Sequence, residues 1–255
     1  MNSKIALVTG ASSGIGKATA LILASNNYNL ILCGRRRERL EETKYEINSK
    51  FQVDVHCLVV DVRNQEDVFA AIDRLPVEFK TIDVLVNNAG LAAGLSTIDE
   101  GVISDWEQMI DTNIKGLLYI TKAVLPLIPK NGDGHIVNVG SIAGKEAYLN
   151  GNVYCATKAA VDSLSRGMRI DLSRFPIRVS AIHPGAVETE FSMIRFKGDE
   201  ARASKVYEGF ENLIADDCAE AIWFIVSRPK HVNINEITVM PTAQPNASTI
   251  HRKLV

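Results

Sequence analysis

The chain has 255 residues, 46% of them hydrophobic, which is enough to bury one large core. A formal net charge of −2 offers no basic surface, so neither nucleic acid nor an anionic membrane is indicated as a partner. Four scattered cysteines without Cys-x-x-Cys spacing read as reduced thiols, and the first apolar run, Ile5 to Val8, is too short for a signal peptide; a cytoplasmic protein that spans no membrane is expected.

Lys4 to Thr9 is a short β-rich run, followed by the glycine turn Gly10, Ala11, Ser12, Ser13, Gly14, Ile15, Gly16 and a helical pattern to about Ser25. Leu30 to Cys33 is a second apolar run, before a charged helix from about Arg36 to Ser49. Val53 to Val60 predicts a third strand ended by Asp61 and Val62, then a helix over about Gln65 to Leu75. A fourth strand, Ile82 to Val86, closes on Asn87, Asn88, Ala89, Gly90. One long helix is expected from about Ser104 to Leu127, then a fifth strand from Ile136 to Gly140 with Ser141 at its end. The next helix carries Tyr154 and runs to about Ser173, with Ala160, Leu164, Met168 and Leu172 as its expected buried stripe. Ile177 to Ile182 predicts strand six, broken at Pro184-Gly185. Residues 186–213 are irregular and polar, and a helix from Asp216 to Val226 precedes a last strand from Ile234 to Met240. Strands alternating with helices, with no repeat and no linker, predict one domain over 1–255. The fold class is α/β, a Rossmann-type doubly wound parallel sheet of about seven strands with helices on both faces. A ligand belongs beyond the strand C-termini.

The glycine turn directly after the first strand places backbone N–H groups at a helix N-terminus, where they can hold a pyrophosphate. An NAD site puts an acidic residue at the end of the second strand to bind the ribose 2′-hydroxyl. Here Gly34-Arg35-Arg36-Arg37 stands there, so Arg35 and Arg36 are candidates to clasp the 2′-phosphate of NADP; the competing reading is an ordinary basic helix start, which the helix dipole disfavours. Asp61-Val62 offers a carboxylate for an adenine amino group, and Asn88, Ala89 and Gly90 leave room for a cofactor.

Tyr154 and Lys158 are one helical turn apart on one face, so the ammonium is expected to lower the phenol's pKa from its ordinary value near 10, and Ser141 can hold a reacting oxygen. No His, Cys, Asp or Glu set has metal-ligand spacing, so no metal is expected. His183 reads as a strand-end histidine satisfied by backbone in preference to one beside a nicotinamide, and Tyr148 as an ordinary half-buried tyrosine in preference to one lining the pocket.

Thr9-Gly-Ala-Ser-Ser-Gly-Ile-Gly16, Asn87-Asn-Ala-Gly90, Asn113, Ser141, Tyr154-x-x-x-Lys158 and Pro184-Gly185 together resemble the short-chain dehydrogenase/reductases, in order and over essentially the whole chain. The resemblance implies Tyr154 as general acid/base, Lys158 as the lysine that tunes it and holds the nicotinamide ribose, and Ser141 as the substrate-orienting hydroxyl. It implies Asn113 as the asparagine of a proton relay, with Pro184, Gly185, Val187 and Thr189 beside the cofactor. Thr189 to Asp199 and 203–209 fall where this family builds its substrate loop, about 186–213. With 231–235 and 240–244, that stretch resembles the NADP-dependent 3-hydroxy acid dehydrogenase branch, which acts on serine, L-allo-threonine and related small molecules. Arg195 is the candidate to bind a substrate carboxylate, against a solvated loop arginine or one pairing with a neighbouring subunit. Lys145-Glu146 depart from the branch's usual less charged residues, which leaves substrate size open. A homotetramer is implied by analogy. The alternatives are a reductase of 3-oxoacyl groups on a carrier protein, disfavoured because 234–255 contain no glycine, and a non-catalytic NADP-binding regulatory module, disfavoured because the catalytic set is complete.

Overall fold

Successive residues of β1 (Ile5–Thr9) point to opposite faces: Ile5 and Leu7 enter one hydrophobic cluster, Ala6 and Val8 another. A strand buried on both sides is the centre of a parallel sheet, not a solvated edge. The computed structural model describes residues 3–253. Its other strands are β2 (Asn29–Gly34), β3 (Val55–Val59), β4 (Val84–Asn87), β5 (His135–Val139), β6 (Arg178–Pro184) and β7 (Glu236–Val239). They form one seven-stranded parallel sheet in the order β3-β2-β1-β4-β5-β6-β7, with β1 registered on both neighbours through Leu7↔Ile31 and Leu7↔Leu85.

Helices α1 (Gly14–Ser25), α2 (Arg37–Lys50) and α9 (Ala215–Val226) cover the Ala6/Val8 face through residues such as Leu23, Leu40 and Ile222. On the other face, α3 (Gln65–Asp73), α5 (Leu117–Val124) and the end of α6 (Asn152–Asp171) pack Val68, Ile120, Val124 and Met168. Order reverses between β1 and β4, so the crevice where ligands bind opens beyond Thr9 and Asn87.

The expected elements are all present, with four differences. The long helix is not continuous: α4 (Ile103–Ile110) passes through a π turn at Asp111–Gly116 into α5, and a 3₁₀ turn at Leu125–Leu127 ends it. The wide turn seats Asn113 inside the protein. On α6 the buried residues are Tyr154, Cys155, Thr157, Lys158, Val161, Asp162 and Ser165; of the expected stripe Leu172, just past the helix end, is buried, while Ala160, Leu164 and Met168 are only half-buried. The apolar spacing misplaces these three because this helix turns polar side chains inward, where other elements satisfy them. Residues 186–213 contain two short helices, α7 (Phe191–Arg195) and α8 (Glu200–Lys205). The last strand is shorter than predicted, and both its ends are exposed or half-exposed.

A buried polar ladder ties β4 to β5 and α6. Asn87 donates to Asn138 Oδ1 (2.9 Å) and Thr121 Oγ1 (2.9 Å), and Asn138 donates to Ser165 Oγ (2.9 Å). The Asn87 amide nitrogen is satisfied twice in this way, while its Oδ1 is buried without a partner among the described residues.

Candidate active site

Thr9 organises the switch point. Its hydroxyl accepts the backbone N–H groups of Asn88 and Ala89, both at 2.9 Å, while Asn88 Nδ2 donates back to the Thr9 carbonyl at 2.9 Å. This clasp joins the ends of β1 and β4 and holds the glycine turn against Asn88-Ala89. Gly10 (φ +66°) and Gly14 (φ +52°) adopt backbone that other residues rarely take, and a Cβ on Gly16 would collide with the Gly10 carbonyl. Helix α1 then starts with no side-chain cap at Ser13 and no acidic residue in its first turn, so its first N–H groups face the crevice as an anion site.

The crevice is a cavity of about 600 Å³. Of the residues singled out in the sequence, Gly10, Ser12, Ser13, Gly14, Ile15, Arg35, Arg36, Asp61, Val62, Asn88, Ala89, Gly90, Ser141, Tyr154, Lys158, Pro184, Gly185, Val187, Thr189 and Arg195 line it. Ala11, Gly16 and Asn113 stand behind the wall. Asn113 accepts the Leu91 N–H (2.9 Å) and donates to the Leu91 carbonyl (2.8 Å) and to Thr157 Oγ1 (3.0 Å). Its side chain is thus committed to holding the Asn88–Leu91 turn beside Lys158.

Ser141 caps a 3₁₀ turn at Ile142–Gly144; its Oγ accepts from Ala143 N (3.1 Å) and donates to the Pro184 carbonyl (3.4 Å). Tyr154 and Lys158 share the buried face of α6, with Lys158 Nζ 6.0 Å from the Tyr154 ring centroid and donating to the Val139 carbonyl at 2.9 Å. The expected lowering of the tyrosine pKa is not what these groups produce. Burial pushes the Tyr154 phenol above its ordinary value, against weaker opposing effects from a hydrogen bond with Ser141 and the charge of Arg195. Burial also pushes Lys158 down to about 8, so the lysine is itself close to discharge and points at a carbonyl, not at the phenol.

Arg195, at the end of α7, enters the cavity opposite this pair. Its Nη1 donates to Tyr148 Oη (3.0 Å) and its Nε to the Gly94 carbonyl (3.2 Å), while Nη2 is buried without a protein partner. The guanidinium lies 5.7 Å from the Tyr154 ring centroid. Tyr148, half-buried as expected, therefore also belongs to the cavity wall, the alternative that the sequence had offered as second choice. Phe191, Tyr207 and Gln244 line the same space from stretches assigned to the substrate side without being singled out, and Ile250 lies outside those stretches and was missed. Gln244 Oε1 accepts the Ala186 N–H at 2.8 Å and so fixes the start of the irregular stretch.

Both arginines after β2 have protein partners. Arg36 donates through Nη1 to Glu190 Oε2 (2.9 Å) and through Nη2 to Ser12 Oγ (3.1 Å) and Ser13 Oγ (2.9 Å). Arg35 Nη1 is 3.8 Å from Asp61 Oδ2. Burial alone would raise the Asp61 pKa, yet hydrogen bonds from Arg63, at 2.6 Å and 3.0 Å, hold it below the usual carboxylate value.

Lys145 does not enter the cavity. Its ammonium bridges Asp162 (3.0 Å) and Glu236 (2.6 Å), tying the 3₁₀ turn after Ser141 to α6 and β7. Glu146 accepts the Ala247 N–H at 3.0 Å. The charges that left substrate size open thus serve packing. His183 is fully buried beside this cluster, its Nε2 3.6 Å from Asp162 and 3.7 Å from Glu236, and burial lowers its pKa. Opposing burial are the charges of Asp162 and Glu236 and a backbone hydrogen bond with Ser141, the kind of contact expected from the sequence, while among the described residues the ring nitrogens have no side-chain hydrogen-bond partner. The fold does bring Asp162, His183 and Glu236 within metal-ligating range of one another, a trio that spacing along the chain conceals, but the cation between the two carboxylates is Lys145.

A family model described as short chain dehydrogenase matches residues 4–200. The chain belongs to this family. The NADP-dependent 3-hydroxy acid dehydrogenase YdfG of Salmonella typhi is 46% identical over 250 residues, covering 97% of this chain and 99% of the relative. The NADP-dependent 3-hydroxy acid dehydrogenase of Schizosaccharomyces pombe is 43% identical over 254 residues, covering 99% and 98%. A solved structure described as the closed form of serine dehydrogenase complexed with NADP+ superposes with a TM-score of 0.91 at 44% identity, over 98% of this chain and 100% of that one. The short-chain dehydrogenase fold thus accounts for the sheet order and for the crevice at the β1/β4 switch point.

Proposed function

We propose that this short-chain dehydrogenase transfers a hydride between NADP(H) and a short 3-hydroxy acid or its semialdehyde, of the serine, L-allo-threonine or 3-hydroxypropionate type. The observation that carries the reading is Arg195 Nη2, a buried donor with no protein partner in the cavity that also holds Tyr154 and Ser141. An unpaired buried guanidinium donor is costly unless an anion completes it. A carboxylate on Arg195 and Tyr148 places a hydroxyl a short distance along the same molecule toward Ser141 and Tyr154.

The residues fit the dinucleotide. The glycine turn admits close backbone approach, the uncapped start of α1 suits a pyrophosphate, and Gly34 leaves no carboxylate where a ribose 2′-hydroxyl would need one. Arg35 and Arg36 would hold the 2′-phosphate, and Lys158, close to Gly90, would hold the nicotinamide ribose. When bound, NADP(H) supplies the hydride donor or acceptor. The chain's own residues do the rest. Ser141 orients the reacting oxygen, Tyr154 gives it a proton or takes one, and Lys158 sets the field around the phenol. A phenol that keeps its proton is suited to the reduction direction. Asn113 positions the Asn88–Leu91 turn against Lys158 and so acts through its neighbours.

The one-domain reading over 1–255, with 186–213 as the substrate loop, is supported by α7 carrying Arg195 into the cavity. Exposed apolar residues on α4, α5 and α6, among them Ile110, Leu118 and Ile170, support a homotetramer. Among the described residues no helix is long and apolar enough to cross a membrane, which is compatible with a cytoplasmic location.

The test is initial-rate oxidation of L-serine, L-allo-threonine and 3-hydroxypropionate with NADP+ and with NAD+, by the wild type and by Arg195→Leu. Turnover with NADP+ preferred is expected, with kcat/KM for the acids falling roughly 10- to 100-fold in the variant. Silence on all three acids, alongside turnover of a 3-oxoacyl thioester, would move the chain to the other substrate class.

A further inference from the structure

The two arginines at the end of β2 are not equally available. Arg35 is half-exposed and only loosely approached by Asp61, which is mainly engaged with Arg63. Arg36 is fixed flat against the glycine turn by the hydroxyls of Ser12 and Ser13, and its other amino group meets Glu190 at 2.9 Å. Glu190 stands 154 positions further along the chain, at the N-terminal end of α7, whose last residue is Arg195. Nothing in α7 requires this carboxylate, because its side chain makes no helix-capping hydrogen bond. Both members of the pair are about four-tenths exposed and line the cavity, so an incoming anion can reach them.

We propose that Glu190 competes with the 2′-phosphate of NADP(H) for Arg36, and so sets how strongly this chain prefers NADP over NAD. The proposal rests on the dinucleotide reading above. A guanidinium fork accepts one bidentate anion well, and a carboxylate held on the same fork repels an approaching phosphate dianion. Without the phosphate, as with NAD, the Arg36–Glu190 pair stays closed and costs the ligand nothing. With it, the pair must open or admit a second anion. The carboxylate therefore acts as a built-in brake on NADP affinity, placed on the segment that also carries the substrate arginine.

The experiment is calorimetric titration of the substrate-free protein with NADP+ and separately with NAD+, for the wild type, Glu190→Gln, Arg36→Ala and the double variant. Glutamine keeps the size and removes the charge at a half-exposed position, so the variant should fold; Glu190→Ala serves as a second removal of the same charge. The expected result is NADP+ binding about ten-fold tighter in Glu190→Gln, with NAD+ binding unchanged. In the Arg36→Ala background the glutamine substitution should add nothing, because the contested group is gone. Unchanged or weaker NADP+ binding in both Glu190 variants would overturn the proposal and make Glu190 a positioning partner of Arg36. A gain that persists without Arg36 would also overturn it. If the wild type does not bind NADP+, the dinucleotide reading falls together with the proposal.

Discussion

Lys158 is a buried ammonium that donates to the Val139 carbonyl, its one hydrogen bond among the described residues, and burial lowers its pKa to about 8. An unfolded lysine keeps its proton to about pH 10.4. Between those values the unfolded chain binds more protons than the folded one, so stability rises with pH across that window, and the penalty is fully present below pH 8. A shift of this size corresponds to roughly 3 kcal/mol, a cost retained at a candidate catalytic position and offset elsewhere in the fold. Lys158→Met is therefore expected to raise the unfolding midpoint at pH 7 by several degrees while abolishing turnover, with the gain vanishing toward pH 10.5. Thermal melts at pH 7 and pH 10 check the sign: a midpoint at pH 7 equal to or below that of the wild type would mean that the Val139 bond fully compensates the charge. The tyrosine one turn away shows why its acidity was not legible in the sequence. The i, i+4 spacing was read correctly as one helix face, but whether a lysine lowers a phenol's pKa depends on where its ammonium points and on how dry the pair is. Both follow from tertiary packing.

At the level of elements, the pairing of β5 with β6 buries His135 at its start. There His135 Nε2 meets Ser180 Oγ at 2.8 Å, and burial, followed by the nearby charge of Arg178, pushes the imidazole down to about 3. An unfolded histidine takes a proton near pH 6.5, so stability is lost as pH falls from 6.5 toward 3. His135→Gln is expected to cost some stability at pH 7 through altered packing, yet to lose less than the wild type between pH 7 and pH 4.5. Urea midpoints at the two pH values measure this, and equal losses would show that carboxylates alone control acid unfolding. Most strands and helices were legible because the strands are short apolar runs, most of them ended by glycine, proline, asparagine or aspartate, and they alternate with longer polar or amphipathic stretches. The π turn at Asp111–Gly116 was not, although Asp111, Thr112, Asn113 and Gly116 are poor helix formers, because their composition marks a weak helix without specifying the wide turn from which Asn113 bonds Leu91. The same cause hid the inward face of α6. Thr157 and Ser165 look solvated by composition, and only the chains packed against them show that they are bonded.

Across the whole molecule, the site is assembled by contacts between residues far apart in sequence, which is why its glycine turn and catalytic set were readable and its walls were not. Tyr148 meets Arg195 across 47 positions, Arg36 meets Glu190 across 154, and Lys145 meets Glu236 across 91. A further such closure involves residues 243–253, which cross back over the irregular stretch. His251 N bonds the Ala243 carbonyl (2.8 Å), Lys253 N bonds the Gly209 carbonyl (2.7 Å), and Arg252 donates to the Val206 carbonyl (3.0 Å) and to that of Glu208 while lying over the Phe210 ring. Because Val206, Tyr207 and Ile250 line the cavity, this strap holds the substrate side of the site without touching the glycine turn. Arg252→Ala removes the side-chain half of the strap and leaves the backbone bonds. The expected outcome is a KM for the hydroxy acid raised about three- to ten-fold, with the affinity for NADP+ unchanged, because a loosened wall costs the small substrate its fixed partners while the dinucleotide is held by β1, α1 and β4. Steady-state kinetics alongside cofactor titration separates the two. A parallel loss of NADP+ affinity would show that the strap supports the whole crevice, and an unaltered KM would show that residues 206–210 are held without it.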